Sequence, residues 1–220
     1  MAFAEPMATE LARSLERKFS GITASTKRDA GAASGKKKQL DVNFSTPGFG
    51  LLLGISLKSV HTRDTSSPYR YTHNVKRNIE ELLVEVAEYH RRQPYAVMIG
   101  IVFLPFDSCD DGRKGNPSSF GSWVQALRRY QGRSEPEDDP SIFEKIYVAL
   151  YEPEPAELQF FDVASAPPKN GRPKTPMTYG EFLDAVHDAY AVRNHTAFRW
   201  ADGETEELEV SEEFRDDDQE

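Results

Sequence analysis

A chain of 220 residues and 24.8 kDa has room for one ordinary domain with appendages. Apolar residues make up 38% and charged residues 29%, and no apolar run approaches the roughly 18–20 residues of a membrane-spanning helix, so a soluble protein with no membrane partner is expected. Net charge is −9, yet it is segregated: residues 1–133 carry 20 Lys and Arg against 13 Asp and Glu, whereas residues 134–220 carry 7 against 23. A basic surface on the first part and an acidic appendage on the second are expected.

The start of the chain has no basic segment followed by an apolar one, so nothing reads as a secretory signal. Cys109 is the single cysteine, which rules out an internal disulfide and agrees with a cytoplasmic location.

In chain order, Leu11, Leu15 and Phe19 with Ala8 and Ala12 form an apolar stripe, predicting a first helix over 7–20. Residues 21–38 are small, polar and basic, and read as a connection. Leu40 to Phe44 predicts a short strand, STPGFG a turn, and Leu51 to Val60 a buried strand, which together make a hairpin. After a polar loop from Thr62 to Asn74, the residues Val75, Ile79, Leu82, Leu83 and Val86 trace one helical face, with Pro94 ending that helix.

Tyr95 to Leu104 is a near-continuous apolar run, as a strand covered on both faces would be. A loop follows to Ser119, in which Asp107, Asp110 and Asp111 lack the calcium-loop spacing and read as a solvated turn. Phe120 to Tyr130 predicts a helix and Ser134 to Pro140 an acidic linker. Lys145 to Tyr151 and Glu157 to Val163 predict two strands, and Tyr179 to Arg193 a last helix. Eleven acids among the final twenty residues predict a disordered tail. The expected organisation is one α/β domain over 1–200, with a mixed central sheet flanked by helices, and an acidic tail over 201–220.

Phosphate-binding and dinucleotide-binding glycine patterns, the nucleophile-elbow pattern and zinc-ligand spacings are all absent. The chemistry-bearing stretch is the hairpin. Asp41 opens one strand, fourteen residues separate it from Ser56, and Lys58 lies two further on. Residues two apart on a strand share a face, so Ser56 and Lys58 point the same way, and the Pro-Gly turn returns Asp41 alongside them. A lysine within an apolar strand is unfavourable unless it has a partner. A carboxylate able to hold Mg²⁺ beside a cation is the combination that phosphodiester hydrolysis uses.

On these residues the sequence resembles the PD-(D/E)xK nuclease superfamily, the class of most type II restriction enzymes, over roughly residues 7–104. The resemblance implies a restriction-endonuclease-like sheet, with Asp41 as metal-holding acid and Lys58 as catalytic lysine. Leu40 stands where the motif has Pro, and Ser56 where it has the second acid. A subset of the family has S-x-K and draws its second carboxylate from the next helix. Here that helix offers Glu80, Glu81, Glu85 and Glu88; Glu85 flanks the apolar stripe and Glu81 is one turn before it, so Glu85 and then Glu81 are the candidates. Glu16, beside the first helix's stripe, matches the family's helix-borne glutamate, giving Asp41, Glu85 and Glu16 as metal ligands. Lys36, Lys37, Lys38, Arg63, Arg70, Lys76 and Arg77 flank the site and are expected to contact phosphates, with Tyr69 and Tyr71 among them offering rings to bases.

The resemblance implies a Mg²⁺-dependent endonuclease acting on DNA, with Mn²⁺ able to substitute, in restriction or phage defence, working as a homodimer and with defence-system partners. Two alternatives stand beside it. One is a catalytically decayed nucleic-acid-binding or accessory subunit, suggested by Ser56. The other is an interaction protein whose tail from Glu204 to Glu220 meets a basic partner or the chain's own basic face.

Overall fold

The computed structural model describes residues 4–24, 40–60 and 70–194, together with the backbone of 198–201 and 204–207. Helix α1 (Ala4–Leu15) is followed by β1 (Thr23–Ala24), β2 (Val42–Thr46) and β3 (Gly50–Ser59), then α2 (Val75–Arg92), β4 (Val97–Pro105) and α3 (Ser119–Leu127). The chain continues through β5 (Lys145–Pro153), β6 (Ala156–Asp162) and α4 (Tyr179–Arg193). A separate antiparallel pair, β7 (Phe198–Ala201) with β8 (Glu204–Glu207), lies where the acidic tail begins; residues 208–220 are outside the described residues.

The first six strands form one mixed sheet in sequence order. β1, β2 and β3 pair antiparallel, β3, β4 and β5 parallel, and β6 returns antiparallel to β5. The β3–α2–β4 and β4–α3–β5 crossovers place both helices on the same face. There Ile79, Leu82 and Val86 of α2 and Phe120, Trp123 and Val124 of α3 cover Met98, Val102 and Val148. On the other face Leu11 and Leu15 of α1 and Phe182 and Val186 of α4 cover Ile55, Leu57, Ile99 and Tyr147. Each of these large side chains contributes about 1.5–3 kcal/mol by leaving water. The all-apolar run of β4 is buried from Val97 to Leu104, as a strand between two helical layers requires.

The chain-order reading meets this structure with local differences. The first helix ends at Leu15 rather than at 20, because the chain turns there: Lys18 and Phe19 both donate to the Leu15 carbonyl. The third helix ends at Leu127 and tightens into a 3-10 turn, Arg128–Tyr130. The two-residue β1 carries too few residues for any periodicity to mark it.

Asp111 does not sit in a solvated turn. Its carboxylate accepts from Ser119 N (2.6 Å) and from the Ser119 hydroxyl, bracing the start of α3. Ser119 Oγ in turn accepts from Tyr71 N (2.9 Å), while Trp123 Nε1 donates to Tyr71 O (2.8 Å). Tyr71 is thereby clamped into the core rather than presented to bases.

A second polar knot lies where β4 and β5 begin. Glu144 accepts from Met98 N (2.7 Å), Arg133 Nη1 (3.0 Å) and Arg193 Nη2 (2.8 Å), with His90 Nε2 at 3.3 Å. Arg133 also donates to the carbonyls of Pro94 and Pro136. The C-terminal ends of α2 and α4 are joined in this way to the segment 134–140, which the sequence presents only as an acidic linker.

Candidate functional site

Antiparallel pairing of β2 with β3 sets Val42 against Ile55, so Asp41, just before β2, comes level with the Ser56 to Lys58 stretch. Its Oδ2 accepts from Leu57 N at 2.7 Å. Asp41 is half-buried, and burial raises its pKa above the ordinary aspartate value. The Leu57 amide and the Lys58 charge oppose that rise without cancelling it. Leu57 points to the α1 layer, while Ser56 and Lys58, on either side of it, point to α2.

There they meet two glutamates. Ser56, fully buried, donates its hydroxyl to Glu85 Oε1 at 2.8 Å. Lys58 Nζ lies 3.8 Å from Glu85 Oε2 and 3.8 Å from Glu81 Oε2. Glu81 Oε1 in turn accepts from Arg77 Nε at 3.0 Å. Hydroxyl, carboxylate, ammonium, carboxylate and guanidinium therefore alternate from the floor of the sheet outward, and burial falls along the series: the Glu85 side chain is 5% exposed, Glu81 35% and Arg77 74%. At 3.8 Å the two lysine contacts are held by charge and are too long for hydrogen bonds, so the ammonium can be redirected without breaking one.

Four of the six residues expected from the sequence meet in this way, Ser56, Lys58, Glu85 and Glu81, while Asp41 is held at the neighbouring Leu57 amide and feels the Lys58 charge. Glu80 and Glu88 face solvent and pair along the helix with Lys76 and Arg92. Glu16 does not join the group. It lies past the end of α1, is exposed, and its carboxylate accepts from Gly21 N (3.0 Å); the helix before it packs on the sheet face opposite to Ser56 and Lys58.

Of the expected phosphate contacts, Lys36, Lys37, Lys38 and Arg63 lie outside the described residues, as does Tyr69. Arg70 is committed internally, its Nη2 donating to Pro117 O (2.6 Å) and Ser122 Oγ (3.3 Å). Lys76 and Arg77 are exposed at the start of α2. Cys109 is buried and its thiol is pushed up to about 12, chiefly by burial, which leaves no thiolate for nucleophilic chemistry at neutral pH. The participant that no residue pattern marks is the Leu57 amide, since backbone donors carry no sequence signature.

The ligand atoms at the site are carboxylate oxygens with a neighbouring hydroxyl, a hard donor set that suits Mg²⁺ or Mn²⁺ rather than a thiophilic metal. Among the described residues, no three acid, imidazole or thiol groups converge on one point. The carboxylates in contact with the strand pair are Asp41, at the Leu57 amide, Glu85, at the Ser56 hydroxyl, and Glu81, beside Lys58. Comparison with protein-family models, curated proteins and solved structures found no match. Among the described residues, no helix is long and apolar enough to cross a membrane.

Proposed function

We propose that the protein is a metal-dependent endonuclease with a restriction-endonuclease-like fold, hydrolysing DNA phosphodiester bonds in restriction or phage defence. The observation that carries this reading is the 2.8 Å hydrogen bond from Ser56 to Glu85. A helix carboxylate stands against the strand position from which the motif's second acid is missing, with Lys58 beside it and Asp41 on the adjoining strand. Mg²⁺ or Mn²⁺, held by Asp41 and Glu85, would neutralise charge on the phosphate and acidify a water. Ser56 orients Glu85. Lys58 supplies a positive charge for the phosphate oxygens in the transition state, or for the attacking water, from a position where two carboxylates keep it aimed inward. Glu81 holds Arg77 at the outer end of the series, where its exposed guanidinium meets the strand. Cutting both strands of a duplex calls for two such sites about a symmetry axis, hence a homodimer.

A second reading, a decayed nucleic-acid-binding or accessory subunit working with defence-system proteins, is favoured by the 5% exposure of the Glu85 side chain and the engagement of both its oxygens by Ser56 and Lys58.

Incubation of supercoiled plasmid with Mg²⁺, Mn²⁺ or EDTA separates the two. Metal-dependent nicking by the wild type, lost in Asp41→Ala and Lys58→Ala, supports the nuclease. DNA binding without cleavage under any metal supports the accessory subunit.

A further inference from the structure

The flank of α2 turned away from Glu81 and Glu85 borders a cleft of about 600 Å³, closed on its far side by the end of α3 and the Arg128–Tyr130 turn. That volume falls within the range of about 300–1,000 Å³ that small-molecule sites occupy. Its lining is divided by chemistry. Ile79, Leu83 and Ala126 form an apolar floor, while the charged lining is Lys76 and Glu80 from α2 and Arg129 from the turn.

The two cations are poorly compensated. Arg129 has no carboxylate within ion-pair distance among the described residues, and its guanidinium carbon sits 4.9 Å from the centroid of the Tyr130 ring, which also lines the cleft. Lys76 meets Glu80 at 3.7 Å, but both side chains are largely exposed, at 90% and 61%, and so open a pair is readily exchanged for a phosphate. Asn74 and Val75, at a helix start without a side-chain cap, line the same cleft and add the positive end of the α2 dipole. In a chain of net charge −9 the cleft thus carries two cations, Lys76 and Arg129, against the single carboxylate of Glu80, beside an apolar floor and the Tyr130 ring.

We infer that the cleft holds one nucleotide unit of a nucleic-acid strand, with its base on the floor against Tyr130 and its phosphate between Lys76 and Arg129. The inference rests on the nuclease reading and names where the chain grips a strand outside the reactive centre. Stacking on an aromatic ring with a flanking cation is how strands are held without reading their sequence.

The test is anisotropy titration of a labelled single strand of roughly 20 nucleotides in EDTA, so that nothing is cut, with salt varied. Lys76→Ala and Arg129→Ala are each expected to weaken binding by about tenfold and to lower the salt slope by about 0.7. Tyr130→Ala is expected to weaken binding with the salt slope unchanged, and a 5-iodouracil strand is expected to photocrosslink to the peptide carrying Tyr130. Unchanged affinity and slope in the Lys76→Ala/Arg129→Ala double variant, or crosslinks only elsewhere, would overturn the inference. So would competition by a free mononucleotide as effective as that by the strand. Wild-type cleavage alongside an unaffected double variant removes the cleft and leaves the nuclease standing. Binding lost in the double variant of a protein that never cleaves leaves the cleft and removes the nuclease. A wild type that does not bind the strand removes the cleft, whatever it cuts.

Discussion

The Ser56 hydroxyl donates to Glu85 Oε1 across 2.8 Å, joining two buried residues 29 positions apart. Ser56→Ala leaves a buried carboxylate short of a donor, which costs about 1–3 kcal/mol whatever the protein does. For a domain of this size that corresponds to a fall in Tm of several degrees. Thermal unfolding measures it, and an unchanged Tm would mean that Glu85 finds another donor.

The two α2 glutamates should separate in activity. Glu85→Gln keeps a partner for Ser56 but removes the charge beside Lys58, and plasmid cleavage is expected to drop by about 10²- to 10³-fold. Glu81→Gln, on a side chain 35% exposed, is expected to lose less than about tenfold. Initial rates of nicking give the ranking, and the reverse order would move the second acid to Glu81.

Arg70 provides a stability test. Because its guanidinium ties the Pro117 carbonyl and the Ser122 hydroxyl, Arg70→Ala is expected to destabilise the fold by about 1–3 kcal/mol and to leave the salt dependence of DNA binding unaltered. A reduced salt slope with unchanged stability would return Arg70 to the phosphate contacts.

Glu144 sets an acid limit. Burial raises its pKa, but His90, the Met98 amide and Arg133 outweigh burial and hold it below the ordinary glutamate value. A carboxylate with a lowered folded pKa stabilises the fold at pH above its unfolded value, and that contribution is lost as pH falls through the folded one. Glu144→Gln should therefore be less stable than wild type by on the order of 3 kcal/mol at neutral pH, the two converging as the solution is acidified. Urea unfolding along a pH series tests the convergence, and a gap independent of pH would show that charge is not what Glu144 contributes.

Sequence patterns reached the site wherever periodicity alone fixes direction. Two residues apart on β3 sent Ser56 and Lys58 to one face, and angular position beside the Ile79, Leu82 and Val86 stripe turned Glu85 and Glu81 toward them. The same argument placed Glu16 at the edge of a stripe, but α1 stops one residue earlier and covers the other face of the sheet, facts that depend on tertiary packing. Arg70 and Tyr71 read as exposed loop residues because their partners at Pro117, Ser119 and Trp123 lie some fifty positions away. Likewise, nothing in an acidic linker announces that Arg133 and Glu144 on its two sides close over His90.

β2 begins at Val42, so the ladder with β3 stops at Ile55 and the Leu57 amide bonds to a side chain instead. Asp41 thus completes the sheet edge with a group that can be titrated, substituted or drawn toward a cation, which no backbone carbonyl can be. A single backbone resonance, the ¹⁵N–¹H signal of Leu57, becomes a built-in gauge of what that carboxylate is holding.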